Sequence, residues 1–126
     1  MVKEINVIYD QTGQPTLRLL ENGRLVDFRG QSIGFVDSGS VYNYRGKHCG
    51  WYEGGILRDH SGDCVGFGEK VTETAHPLLP LKSLKPLPAL VELEPLRPLK
   101  ELVPLRPLKS LGWSPRTPVT IFFEER

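Results

Sequence analysis

Four side chains between residues 48 and 64 are of the types that bind transition metals. They are His48, Cys49, His60 and Cys64, and two imidazoles with two thiolates make a ligand set typical of zinc. The two cysteines do not form the Cys-x-x-Cys pair of common structural zinc sites, and two cysteines are no disulfide framework. The residue types permit a metal site, but the spacing does not favour one.

A second set of candidate groups consists of acidic or amide side chains, each opening a short motif that ends in glycine. The motifs are Asp10-x-x-Gly13, Asp27-x-x-Gly30, Asn43-x-x-Gly46 and Asp59-x-x-Gly62. Carboxylates gathered at one point could hold a cation or transfer protons. Because Asp and Asn also initiate turns by bonding their own downstream backbone, the recurrence of the motif predicts four turns.

These turn motifs mark four repeats of about 16 residues. A second turn signal closes the first three units, at Asn22-Gly23, Ser38-Gly39 and Gly54-Gly55. Turns about every eight residues, separated by short alternating segments, are typical of antiparallel hairpins. We therefore predict an all-β fold for region 1–76, with four short β-hairpin repeats in a rosette or small barrel. Glycines inside the predicted strands indicate bulges or close backbone approach: Gly34, Gly50 and Gly66.

The repeat also assigns structural roles to the candidate metal ligands. Cys49 is equivalent to Ile33 and Val65, which predicts a packing position where cysteine acts as a small hydrophobic residue. His60 is equivalent to aromatic residues in two other units, so we expect it to be a ring in a stack. We therefore predict no bound metal and no cofactor.

Residues 77–112 follow a different repeat, with leucine at every third position from Leu78 to Leu111. The frequent prolines exclude a continuous α-helix, and a polyproline II helix has about three residues per turn. We predict an extended, polyproline II-like Pro-Leu segment packed on the hairpins, with its leucine edge inward and one nonapeptide for each hairpin. The leucines expected in packing or in an interface between copies are Leu96, Leu99, Leu102, Leu105 and Leu108.

The last residues, 113–126, contain the apolar run Val119-Thr-Ile-Phe-Phe123. This run predicts a C-terminal strand or a docking tail. The three regions, 1–76, 77–112 and 113–126, are expected to form one structural domain, because 126 residues correspond to one small domain.

Three binding functions compete with a purely structural one. Exposed aromatic residues of the hairpins could bind a glycan or a peptide, and the candidates are Phe35, Tyr44, Trp51 and Tyr52. Pro-x-x-Pro-x-Lys occurs three times in 77–112 and resembles a ligand of SH3-type grooves, although one nine-residue period generates all three. Arginines among aromatics are typical of nucleic-acid surfaces, but interleaved acidic residues neutralise them and the net charge is only +1.

The sequence lacks the motifs of common catalytic sites. It contains no phosphate-binding loop, no His-Glu-x-x-His and no Ser-His-Asp order, so we predict no catalytic residues and no enzyme activity. No signal peptide or run of about 18 apolar residues is present, which predicts a cytoplasmic protein without a membrane partner. The net charge of +1 predicts no nucleic-acid partner. A chain this short buries only a modest core, which favours a homo-oligomer such as a tetramer.

Together the two halves resemble the bacterial 4-fold beta flower proteins, for which no activity is established. The residues that carry the resemblance are the Asp-x-x-Gly-x-x-x-Gly-aromatic units at 27–35 and 43–51, the Pro-Leu-Arg-Pro-Leu-Lys runs, and Leu111-Gly112-Trp113-Ser114. The resemblance implies a β-petal architecture. The resulting prediction is an uncharacterised, non-enzymatic structural or interaction module that self-associates, and the alternative is the glycan- or peptide-binding module.

Overall fold

Eight antiparallel strands close into one barrel within residues 2–124, the part of the chain that this computed structural model describes. The strands are β1 (Glu4–Tyr9), β2 (Pro15–Leu20), β3 (Arg24–Asp27), β4 (Ser32–Asp37), β5 (Ser40–Tyr42), β6 (His48–Glu53), β7 (Ile56–Arg58) and β8 (Cys64–Phe67). Each strand pairs with the next in sequence, and Tyr9 of β1 meets Phe67 of β8 to complete the closure. The predicted all-β fold and small barrel are therefore confirmed. The closing seam is short, and Cys64 of β8 forms a parallel bridge with Trp113 from the C-terminal region.

Four equivalent turns join alternate strand pairs at one end of the barrel. In each turn the first residue's Oδ1 accepts hydrogen bonds from the backbone amides two and four residues later, at 2.9–3.1 Å. The fourth residue is a glycine with φ between +81° and +87°, a conformation that favours glycine. The prediction that Asp10, Asp27, Asn43 and Asp59 initiate turns is confirmed.

The glycines inside strands mark places where one strand crowds the next. A side chain at Gly34 would overlap the carbonyl oxygen of Tyr42, and one at Gly50 would overlap that of Arg58. The strand pairs that contain these glycines also shift register, as a β-bulge does. The first unit carries Leu17 instead of glycine, yet its equivalent pair, β1 with β2, also shifts register, between Ile8 and Tyr9.

One hydrophobic cluster receives residues from all eight strands and so fills the barrel interior. Its buried members include Ile8, Leu25, Val41 and Leu57. Cys49 lies in the same cluster as Ile33 and Val65, which confirms that it occupies a packing position.

The C-terminal run completes this core as a short 3₁₀ helix, Thr120–Phe122, and not as a strand. Ile121 and Phe122 are buried in the barrel cluster, and the Phe122 ring lies where a Cβ at Gly34 would come within 2.6 Å of it. Of the two alternatives predicted for this run, the strand does not form and the run docks on the core. The bridge from the C-terminal region to the barrel edge is made earlier in the chain, by Trp113 to Cys64 of β8. The last two residues of the predicted tail, 125–126, lie outside the described residues, as does residue 1.

Candidate functional site

The leucines at every third position from Leu78 to Leu111 form a continuous exposed row, which we name the leucine ridge. The eleven leucines from Leu78 to Leu108 are 92–98% exposed, and Leu111 is 67% exposed. The prediction that this edge faces the hairpins is therefore wrong. Because burial of one leucine side chain gains roughly 1.5–3 kcal/mol, a row of twelve is the feature of the chain that most requires a partner.

Hydrogen bonds attach the Pro-Leu segment to the four turns at intervals of nine residues. The backbone amides of Ser83, Glu92, Glu101 and Ser110 donate to the carbonyl oxygens of Gly13, Gly30, Gly46 and Gly62, respectively, at 2.8–3.0 Å. Each nonapeptide of the segment is thus attached to one hairpin turn.

The proline edge of the segment carries these attachments. Pro98 packs beside Gly46 and Pro107 beside Gly62. Proline has no amide hydrogen. A residue other than proline therefore stands at each position of this edge whose backbone amide donates a hydrogen bond to a turn. In the second nonapeptide Ala89 replaces a proline, and its amide donates to the carbonyl oxygen of Phe28 at 3.0 Å. The only signal of these attachment residues in the sequence is that they interrupt the row of prolines along this edge.

The third edge of the segment, which carries most of its charged residues, faces the barrel wall and explains why the leucines point outward. The guanidinium of Arg97 lies 4.8 Å from the centre of the Phe35 ring, and that of Arg106 lies 5.5 Å from the centre of the Trp51 ring. Lys100 pairs with Asp37 and Lys109 pairs with Glu73. Cation–π contacts and ion pairs therefore occupy the inward position that sequence reasoning gave to leucine.

Three carboxyl groups that contact basic residues of this edge have lowered pKa values. The hydrogen bond from Lys109 is the main cause that lowers the pKa of Glu73 to about 2, and backbone amides of residues 74 and 75 add to it. The pKa of Asp37 is lowered chiefly by its hydrogen bond from Lys100. Burial raises the pKa of Glu94, but hydrogen bonds from Arg97 and Tyr44 outweigh it and the pKa is lowered.

Two buried arginines of the barrel also hold the segment. Arg24 Nη2 donates to the carbonyl oxygen of Glu92 at 2.5 Å. Arg58 Nη1 donates to the carbonyl oxygens of Gly62 and Ser110 at 2.7 and 2.8 Å. Each guanidinium group thus donates to one backbone carbonyl of the segment, that of Glu92 or that of Ser110.

The leucines predicted for packing or an interface lie in the third and fourth nonapeptides and share one outward row. They are Leu96, Leu99, Leu102, Leu105 and Leu108, all at least 92% exposed. They do not pack within the chain, because neither hydrophobic cluster contains them. Their role in an interface between copies stays a prediction.

The four aromatic residues of the alternative binding site do not share one open groove. Phe35 and Trp51 are buried beneath Arg97 and Arg106. Tyr44 is partly buried, and its hydroxyl donates to Glu94 at 2.7 Å. Tyr52 is partly buried too and accepts from Asn6 at 2.9 Å, and burial is the main cause that raises its pKa to about 12. Phe35 and Trp51 thus lack the exposure that this alternative requires.

The candidate metal ligands are placed by ring packing and by the core. The His48 Nδ1 and His60 Nε2 atoms are 2.9 Å apart, and both rings pack against Trp51. His60 therefore packs among rings as expected, but edge-on to Trp51 and not stacked on it. Burial raises the pKa of the Cys64 thiol to about 12. Among residues 2–124, no three histidine, cysteine or acidic side chains converge as a metal site would require.

A polar cavity lies beside the 3₁₀ helix at the turn end of the barrel. It encloses about 270 Å³ and is lined by Asp59, His60 and Arg116, among others. The Asp59 carboxylate accepts from Ser114 Oγ at 2.6 Å and pairs with Arg116 at 3.4 Å. The carboxylate is therefore used to hold the C-terminal residues in place.

Comparisons with known proteins agree with this architecture. The family model described as 4-fold beta flower protein matches residues 6–122, nearly the whole chain. No curated protein and no solved structure matches the chain. In the described part of the chain, no helix has the length and apolar character needed to cross a membrane. With four hairpin units, four attached nonapeptides and a family match over almost its full length, this chain belongs to the 4-fold beta flower family.

Proposed function

We propose that this protein is a non-enzymatic structural module that self-associates, with the leucine ridge of one copy packed against the ridge of another. The observation that carries the proposal is the exposure of the ridge, where eleven leucines are at least 92% exposed. An isolated monomer seldom keeps so large an apolar surface in water. Packing of identical ridges removes that surface from water without a second kind of protein.

The spacing of the ridge favours a second copy as the partner. Three residues of extended polyproline II-like chain advance about 9 Å, so successive leucines leave gaps of constant length. A second ridge has the same period by construction, and its leucines can enter those gaps in register. Any other partner would need an independently matched repeat.

Charge next to the ridge also favours contact between copies. The basic side chains beside the leucines already have acidic partners in their own chain, as in Lys85 with Glu4 and Glu69, and Arg97 with Glu94. The net charge of the chain is only +1. Two copies therefore approach without strong like-charge repulsion.

The absence of an enzymatic role is supported by the use of the candidate polar groups. In each of the four turn residues, one side-chain oxygen accepts hydrogen bonds from turn amides. The Asp59 carboxylate also accepts a hydrogen bond from Ser114. Cys64 is a buried free thiol. Free thiols fit a reducing compartment, which supports the cytoplasmic location that forms part of this proposal.

A comparison of variants by light scattering tests the proposal. Serine at all twelve ridge positions should reduce the solution mass to that of one chain, while the thermal unfolding of the barrel stays within a few degrees of wild type. Val103→Ser is the matched control, because Val103 is exposed in the same segment but lies off the ridge. It should keep the wild-type mass. A wild-type protein that has the mass of one chain at every concentration would refute the proposal.

A further inference from the structure

The leucine ridge faces four directions around the barrel. Each nonapeptide is attached at a different turn, and the four turns join β1 to β2, β3 to β4, β5 to β6 and β7 to β8. In a closed barrel of eight strands, alternate strand pairs lie about a quarter of the circumference apart. The segment therefore follows the outside of the barrel, and its exposed leucines point away from the barrel on every side.

Each of these four sides presents the same number of exposed leucine side chains. Every nonapeptide contributes three leucines, at its second, fifth and eighth positions, and the sets are Leu78, Leu81 and Leu84; Leu87, Leu90 and Leu93; Leu96, Leu99 and Leu102; and Leu105, Leu108 and Leu111. If two copies associate along one side each, nine of the twelve leucines on each copy remain in water. The driving force for association is therefore not exhausted in a dimer.

We propose that copies of this protein associate side by side into an open planar assembly in which each chain has up to four neighbours. This inference rests on the self-association proposed above and specifies its valence and geometry. A single self-complementary patch gives a closed dimer. Four equivalent patches that point outward around one axis cannot all be covered in a dimer, so each added copy presents further free ridges and growth continues.

A lipid bilayer fits the ridge less well than another copy does. The apolar band is one leucine side chain wide, whereas the hydrocarbon layer of a bilayer is about 30 Å thick. Charged side chains flank the band directly, as with Lys82 beside Leu81 and Lys100 beside Leu99. A second ridge is equally narrow and covers the leucines without burying those charges in hydrocarbon.

The number of neighbours per chain can be tested by replacing the three leucines of one or more nonapeptides with serine. Sedimentation velocity and negative-stain electron microscopy of wild type should show assemblies that grow with concentration and lie flat as sheets. Serine in the first and third nonapeptides leaves two opposite sides, and this variant should form linear chains. Serine in three nonapeptides leaves one side, and this variant should stop at the dimer.

The control and the contrary outcomes separate this inference from the proposed function. Val103→Ser should assemble as wild type does, and thermal unfolding should show that every serine variant keeps its barrel. A wild-type protein of one fixed mass, such as a dimer or tetramer, would overturn the open assembly while self-association stood. A wild-type protein that stays monomeric would overturn both proposals, and so would a monomer that floats with phosphatidylcholine vesicles.

Discussion

The side-chain amide of Asn43 donates a 3.0 Å hydrogen bond to the backbone carbonyl oxygen of Phe122. Asn43 occupies the turn position that is aspartate in the other three units. Its Oδ1 still accepts the two turn amides, so the amide group satisfies the turn and the docked 3₁₀ helix at once. The exception in the repeat is therefore explained by a contact that the other three turns do not make.

Asn43→Asp should destabilise the docked helix and leave the turn intact. The substitution removes the donor to Phe122 and sets a carboxylate oxygen against a carbonyl oxygen, a loss of about 1–3 kcal/mol for a buried group. Urea unfolding should report the loss, and hydrogen exchange should become faster at the amides of residues 122–124. Asp27→Asn is the control, since it keeps the turn oxygen and loses an ion pair with the exposed Arg29, and it should change the free energy of unfolding by less than about 1 kcal/mol. Equal effects of the two substitutions would contradict this account.

Ser83→Pro should detach the first nonapeptide from its turn. The proline removes the amide that donates to Gly13 at 2.8 Å, although it suits the extended segment itself. We expect a destabilisation of about 1 kcal/mol and faster proteolysis between residues 77 and 90. Ser83→Ala keeps the amide and removes only the side-chain bond from Gln14, so it serves as the matched control. If the alanine variant were as unstable as the proline variant, the backbone attachment would not be the cause.

Gly46→Ala should destabilise the chain through two effects at one position. Gly46 has φ of +81°, and an added Cβ would overlap the carbonyl oxygen of Leu99. The left-handed conformation alone costs about 1–2 kcal/mol for a residue with a side chain, so we expect at least that loss in chemical unfolding. Gly112→Ala meets only Ser110 Oγ, at 3.4 Å, and should have little effect. A neutral Gly46→Ala would show that the segment does not lie against this turn.

Stability should fall in acid because the segment is held by carboxylates. Lys109 is the main cause that lowers the pKa of Glu73 to about 2, whereas an unfolded glutamate titrates near pH 4.3. A group with a lowered folded-state pKa stabilises the protein above its unfolded pKa, and the contribution disappears as the pH falls towards the folded value. The urea midpoint should therefore drop between about pH 5 and pH 2, and Lys109→Met should make the drop shallower. The same slope in both proteins would rule out this ion pair as a cause.

The turns and the repeat architecture could be predicted because their chemistry is local. An aspartate or asparagine followed three residues later by glycine specifies the turn wherever it stands. The regular 16-residue spacing then implies equivalent hairpins, and the barrel follows from their closure. The packing role of Cys49 could be read in the same way, by equivalence with Ile33 and Val65.

The direction of the leucine edge could not be predicted from the segment alone. A three-residue period defines three edges, and each could in principle face the barrel. The choice depends on Phe35, Trp51 and the acidic residues at the opposite barrel end, which come together with Arg97 and Arg106 only after folding. The C-terminal run likewise has the composition of a strand, but it forms a 3₁₀ helix, and Trp113 bridges to the edge of β8 at Cys64 instead.

Disulfide trapping across the ridge tests the central claim most directly. A cysteine at Leu99 is fully accessible, whereas the native Cys49 and Cys64 are buried. Under mild oxidation, Leu99→Cys should form disulfide-linked dimers in high yield, because ridges of two copies place these positions together. Thr72→Cys, at an exposed residue outside the ridge, should stay largely monomeric. If Leu99→Cys gave no more dimer than Thr72→Cys, the claim that the leucine ridges of two copies pack together would be contradicted.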